Sequence, residues 1–451
     1  MRWLAAVVAL CALGSGFSSS SGAGRDLLGQ AAAAAAAGLG RAEPSEALGG
    51  SNSYYYSHWC GAGLQYLDDA KCAKVFPSTS DRGFSCGIGY TSESELPPGY
   101  ARDAQFSSIE PHPLDNVVTN GADACVILTR RVKGVLFNKY YCTARKEAYE
   151  TWSSSKIFAM ANAAGTLRGR ENSTCSPAGA LGIDSATTGK ASSNGGPLLL
   201  GDLATIVCSY DHTAGYSSNS LSSFFHDLGW RRAIHDLVQS DWLAATTNYS
   251  VGVSLGGNYG EATPADLGFR LTSTSASCNA IPKPVSAQPV YSNSLTALAA
   301  AELTRRLVQH SAIDPALRFP FLQPEDVATI LQGADVAAHA DSTLFPGQLL
   351  GGMSADTSVF LQSWLDMKQV ESASAGQWRI YSKLGSGFSS SRRVGEIINN
   401  VYACLPGVFG VEMTLHVRGS VPEDSDLSSV EQVVHAAVGS IVSALKAGAI
   451  A

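Results

Sequence analysis

The chain sets β-rich runs on both sides of a long helical stretch, and that order restricts the folds open to it more than any other feature. DACVILTRR (123–131) and GVLFNKYYCTA (134–144) are rich in β-branched and aromatic residues, and the short Val-Lys-Gly link between them predicts a hairpin. SSSKIFAMANAAGTLRG then predicts a helix that begins near Ser153, with Gly165 or Gly169 near its end. Helical patterns dominate 199–245 and return over 294–333. Strands come back late, as QWRIYSKLG (377–385), VGEIINNVYACLP (394–406) and VFGVEMTLHVRG (408–419). SSVEQVVHAAVGSIVSALKAG (428–448) closes the chain with helical spacing. Two early and three late strands can join one antiparallel sheet, with the first and last helices packed on it. The expected fold class is therefore α+β: an antiparallel sheet flanked by helices, with an all-helical subdomain inserted over about 150–370.

What precedes this body has a different texture. Residues 1–23 carry Arg2, an apolar stretch from Trp3 to Leu13 and then small residues, the pattern of a secretory signal, with an uncleaved anchor as the alternative. That run is too short for a comfortable transmembrane helix, and no stable membrane span is expected. Residues 24–50 are low in complexity and read as a linker or propeptide. Residues 51–104 hold Cys60, Cys72 and Cys86 among many Gly, Ser and Tyr and form a cysteine-containing extension; 105–451 is the main domain. With 451 residues, 45% of them hydrophobic and 15% charged, there is material for a large core. A formal charge of −7 gives no basic footprint and argues against a nucleic-acid partner.

A secreted destination bears on the cysteines. Removal of Cys11 with the signal leaves nine of the ten, none in CxxC spacing, so neither a metal site nor thioredoxin chemistry is indicated. In an oxidising compartment most would pair, and the odd number leaves at least one over. Asn172-Ser173-Thr174 and Asn248-Tyr249-Ser250 are glycosylation sequons, relevant if the host is a eukaryote.

Three short motifs carry chemistry. Ser153-Ser154-Ser155-Lys156 opens the helix after the hairpin. A Ser three residues before a Lys shares its helix face, and in a buried helix the amine can serve as the base for that hydroxyl. The bland alternative is a serine N-cap. Tyr216-Ser217-Ser218-Asn219 falls in a loop between helices, where Ser and Asn also serve as ordinary turn residues. Lys383-Leu384-Gly385-Ser386-Gly387 ends a strand, where the lysine could equally be a solvated charge.

In this order the motifs resemble the SxxK, SxN and KTG signature of the serine β-lactamase and penicillin-binding protein superfamily, and within it the class A β-lactamases, over roughly 105–448. The resemblance implies Ser153 as nucleophile, Lys156 as base or relay, and Ser217 as proton donor to the leaving nitrogen. Asn219, Lys383 and Gly385 would bind substrate, and the backbone N–H groups of Ser153 and Ser386 would hold the oxyanion. The small Gly385 and Gly387 would let substrate lie along the strand edge. No cofactor is implied; the partner is a small-molecule or peptide-like acyl substrate, and the oligomeric state is open. A Cys175–Cys208 bridge, similar to one in some class A enzymes, would tie the first two motifs together.

Two departures qualify what the resemblance implies. Leu384 stands where the family has Thr or Ser, whose hydroxyl helps to bind a substrate carboxylate. The family's Glu with an Asn four residues later, which activates the deacylating water, is not matched; Glu261 in GEATPADLG is the candidate base, without that Asn. Asp227, Asp236 and Asp241 fall in predicted helices, and His212, His226 and His235 read as surface or packing histidines. The leading expectation is a secreted serine acyl hydrolase acting on β-lactam, amide or peptide-like substrates. The alternatives are a non-catalytic binding protein that keeps the pocket, and an esterase or D-amino-acid peptidase on the same fold.

Overall fold

The computed structural model describes residues 89–102, 110–171, 176–183, 198–201, 203, 207, 218–243, 252–259, 271–273, 289–332, 360–361, 363–374, 378–423, 425 and 427–451. The signal and linker segments, Cys60, Cys72, Cys86, Cys175, Cys208, Asn172, Asn248, His212, Ser217 and Glu261 lie outside the described residues.

β1 (Ala101–Arg102) and β2 (His112–Pro113) are short, and β3 (Asp123–Val132) and β4 (Val135–Cys142) form the expected hairpin. Its two-residue turn has Lys133 at φ 50 and Gly134 at φ 84, the left-handed pair that matches the twist of the flanking strands. β5 (Tyr149–Glu150) leads through a 3-10 turn, Trp152–Ser155, into α1 (Lys156–Glu171). α2 (Pro177–Ala180), β6 (Leu181–Ile183), β7 (Leu198–Leu199), α3 (Ser218–Leu228), α4 (Arg231–Gln239), β8 (Leu271–Ser273) and β9 (Ser294–Leu295) follow. Then come α5 (Ala297–Val308), α6 (Pro324–Gln332), α7 (Met367–Ser374), β10 (Arg379–Ser389), β11 (Val394–Cys404), β12 (Glu412–Pro422) and α8 (Leu427–Lys446).

The early hairpin and the three late strands do join one sheet, in the order β1-β4-β3-β12-β11-β10, with β2 also on β4. The long strands are antiparallel throughout. The fold is thus α+β, as expected, but the inserted subdomain is not all helical: β7, β6 and β8 form a small antiparallel sheet within it. Residues before 105 take part as well: Ala101 and Arg102 pair with Asn138 and Phe137, and Tyr90 bridges Val132.

Alternation along the strands assigns the two faces. Ala124, Val126 and Leu128 of β3 and Met413, Leu415 and Val417 of β12 share a core with Val430, Val434, Val438 and Ile441 of α8. Cys125 and Ile127, with Tyr381 and Tyr402, point the other way into the core built around α1 and α5. Leu384 packs on the α8 side, where an apolar side chain has a place. Under the 3-10 turn the same period of two puts Glu396, Asn400, His416 and Arg418 on the α1 face, all buried.

α1 is apolar nearly all round: Ile157, Phe158, Ala159, Met160, Ala161, Ala163, Ala164 and Leu167 are buried. Such a helix belongs in a core rather than on a surface. Its single buried amide, Asn162, donates to the Gly229 carbonyl at 2.7 Å. Gly169 lies in the last turn of α1, as expected for one of the pair, and Gly165 lies a turn further in. A Cβ on Gly165 would meet the Pro320 carbonyl oxygen at 2.4 Å, and one on Gly169 the Phe321 ring at 2.6 Å. Both glycines are also packing notches.

Three other expectations shift. Ser218 and Asn219 open α3 instead of lying in a loop. The Lys383–Gly387 motif sits within β10, which runs on to Ser389, rather than at a strand end. Asp241 falls in the turn after α4. Cys125 and Cys142, cross-strand neighbours on β3 and β4, form a disulfide, and Cys404 is also disulfide-bonded. Among the described residues no helix is long and apolar enough to cross a membrane.

Candidate active site

Three consecutive serines enter α1, and the turn that carries them treats each differently. Ser154 is fully buried and its hydroxyl donates to the Thr151 carbonyl at 2.6 Å. Ser155 is fully buried too; its Oγ accepts from Thr151 Oγ1 at 2.7 Å and meets the Tyr259 hydroxyl at 3.0 Å. Ser153 is half-buried, and among the described residues its hydroxyl has no hydrogen-bond partner. Only one of the three is therefore chemically available.

Trp152, just before it, is held at φ 48. A bulky residue in that region costs about 1–3 kcal/mol and persists only where its surroundings fix it. Here the indole N–H donates to Glu396 Oε2 at 3.1 Å, and Glu396 also pairs with Arg418 and Arg392. The turn is held from below as well, where Asn400 Nδ2 donates to the Ser154 carbonyl at 3.1 Å.

Lys156 starts α1 with 1% of its surface exposed, which meets the condition that a Ser–Lys pair needs a buried helix. Its ammonium donates to Asn219 Oδ1 at 2.5 Å and lies 5.4 Å from the centre of the Tyr259 ring. The structure thus joins the first motif to the second. It does not hydrogen-bond Lys156 to Ser153; in resting enzymes such contacts often form only with substrate present.

The third motif meets the same turn. A Cβ on Gly385 would come within 2.6 Å of Ser154 N and Thr151 O and 3.0 Å of Ser153 N, so only glycine lets β10 lie against it. At Gly387 a Cβ would strike the Trp152 ring at 2.4 Å. Gly385 and Gly387 therefore accommodate the turn and its indole. Ser386 between them is exposed, and Lys383 is fully buried, donating to the Leu384 carbonyl at 2.9 Å. β10 is the last strand of its sheet on this side, so among the described strands its outer edge has no partner.

Several residues at the site gave no signal in the sequence. Tyr259 arrives on the segment 252–259, which Asn293 fixes by accepting the Gly256 and Gly257 amides at 3.1 and 2.9 Å. The Asn293 carbonyl accepts the Thr151 amide at 3.0 Å, so one residue holds both the turn and the segment facing it. Behind Tyr259 lies His226, its ring parallel at 5.7 Å and its Nε2 3.4 Å from the Tyr259 hydroxyl. Burial pushes the His226 imidazole down to about 3 and the Tyr259 phenol well above its usual range. Both are neutral at ordinary pH, so neither is a strong base. His226 is a packing histidine, as expected. His235, in α4, stacks on Tyr291 at 3.9 Å and its Nδ1 lies 3.0 Å from Ser254 Oγ.

No protein-family model matches the sequence, and no curated protein is significantly similar to it. Among solved structures the chain is similar to the TLA-3 extended-spectrum beta-lactamase, at 12% identity and a TM-score of 0.40, over 74% of this chain and 99% of that one. It is similar also to a beta-lactamase from Chitinophaga pinensis, at 11% identity and a TM-score of 0.39, over 75% and 98% of the two chains. A third, from Xanthomonas campestris, has 13% identity and a TM-score of 0.37, over 73% and 94%. Likeness at that level says nothing of the chemistry, which rests on the residues themselves.

Proposed function

We propose that this protein is a secreted serine acyl hydrolase of the β-lactamase-like type, with Ser153 as its nucleophile. The observation that carries the reading is the sorting of the three serines. Ser154 and Ser155 spend their hydroxyls on the fold, while Ser153 keeps its own accessible one helical turn before a buried lysine.

In the proposed reaction Lys156, in its neutral amine form, takes the proton of Ser153 as Ser153 Oγ attacks an acyl carbonyl. The tetrahedral oxyanion is held by the Ser153 and Ser386 backbone N–H groups, which the closeness of Gly385 to the turn supports. The bond to the leaving nitrogen then breaks as Ser217 supplies that nitrogen's proton, which leaves an ester on Ser153. Asn219 and Lys383 orient the substrate. Water or another acceptor cleaves the ester, with Glu261 as the candidate base. Leu384 turns to the α8 core and offers no hydroxyl to a carboxylate, which favours β-lactam, amide or ester substrates that do not depend on that contact.

A second reading, a binding protein that keeps the pocket, is favoured by the ammonium of Lys156 lying on Asn219 rather than on Ser153. One experiment separates the two: intact mass followed over time with a labelled penicillin and with a fluorophosphonate, beside Ser153→Ala. An adduct on wild type alone is the expected result. Hydrolysis without accumulation supports the same reading with efficient deacylation. Neither adduct nor turnover with either probe would leave the binding reading.

A further inference from the structure

A row of cross-strand neighbours crosses the sheet beneath the turn: Lys383 opposite Asn400, Asn400 opposite His416, His416 opposite Cys125, and Cys125 opposite Cys142. Within it, polar atoms of fully buried residues lie end to end. The Tyr149 hydroxyl is 2.5 Å from His416 Nε2, His416 Nδ1 is 2.6 Å from Asn400 Oδ1, and Asn400 Nδ2 is 3.1 Å from the Ser154 carbonyl oxygen.

The direction of every bond follows from one end. A carbonyl oxygen only accepts, so the Asn400 amide nitrogen must face Ser154. The Asn400 oxygen then faces the ring, so His416 Nδ1 carries the proton. In a neutral imidazole Nε2 is then the acceptor, and Tyr149 must donate to it. Burial keeps the ring neutral, holding its pKa down to about 3. Tyr149 is fixed in turn by the Arg418 guanidinium, 4.2 Å from its ring centre.

We infer that Tyr149, His416 and Asn400 are positioning residues for Ser153: Tyr149 selects the His416 tautomer, the tautomer orients the Asn400 amide, and the amide clamps the turn through the Ser154 carbonyl. The inference rests on Ser153 being the nucleophile. Small displacements of a reacting atom are costly, with about 1 Å able to remove a factor of about 100 in rate.

The test is a double-mutant cycle on the rate of Ser153 labelling by the fluorophosphonate, with saturation used to separate binding from the bond-forming step. Tyr149→Phe removes only the hydroxyl and leaves the ring that Arg418 covers. It is expected to slow bond formation about tenfold with unchanged probe binding, because the freed ring can present either tautomer to Asn400. His416→Asn keeps a donor near the Nδ1 position and has no tautomer to select. Its own cost is expected to be smaller, and Tyr149→Phe added to it should slow labelling no further. Equal, additive losses in both backgrounds, or no loss in either, would overturn the clamp while leaving the nucleophile intact. If wild type is not labelled at all, the catalytic reading fails. Amide hydrogen exchange over 152–157 then decides the clamp alone: faster exchange in Tyr149→Phe supports it, and unchanged exchange overturns it.

Discussion

Gly385 shows how much a single hydrogen can decide. Its missing side chain is what allows β10 to touch the turn that carries Ser153. Gly385→Ala would push a methyl into backbone atoms 2.6 Å away that have no rotamer to change. We expect a loss of about 1–3 kcal/mol by urea unfolding, together with loss of Ser153 labelling; a variant of unchanged stability and rate would show that the contact is not tight. The motif residues were legible because their spacing is local: Ser153 and Lys156 share a helix face whatever surrounds them. Tyr259, Asn293, Asn400 and His416 were not. Each reaches the turn from another part of the chain, and an Asn or His in an apolar strand gives no hint of what it will meet across the sheet. Leu384 was seen as a departure, but its preference for the α8 side depends on strand alternation in β10.

At the scale of elements, the β-rich runs and the final helix came out where their periodicity put them, because each buries a face that the pattern itself defines. The glycines of α1 told only part of their role. Gly169 does fall in the last turn, but at both Gly165 and Gly169 the missing side chain also serves the close approach of residues 320–322, which the helical pattern could not show. The β3–β4 hairpin carries the next prediction. Its strands are joined at the far end from their turn by Cys125–Cys142, separated by 17 positions. Replacing both cysteines with alanine should cost about 3 kcal/mol on the chain-entropy account, read as a shift in urea midpoint at constant slope. A shift near zero would mean that the sheet alone holds the hairpin closed.

The whole molecule carries imidazoles that burial keeps neutral. His226 and His416 are held down to about 3 and His310 to about 4, against 6.5 for a free ring. As pH falls below 6.5 the unfolded chain takes up these protons and the folded one does not. Stability is therefore fully present above 6.5 and lost progressively toward 4, by up to about 1.4 kcal/mol per pH unit for each ring. Asp123 and Asp326, raised by burial, pull the other way, two carboxyls against three imidazoles. The urea midpoint should fall between pH 7 and pH 4.5, and a flat profile would contradict this. The sheet order has a last consequence, for synthesis. β12 lies between β3 and β11, so during synthesis the β3–β4 hairpin waits for a strand some 280 residues later, Thr129 for Glu412. Until then one edge of β3 stays open, and the turn with Ser153 has neither Gly385 beside it nor Asn400 beneath it. Through that interval the nascent chain carries Ser153 on an unsupported turn, and the open edge of β3 is where a chaperone would be needed.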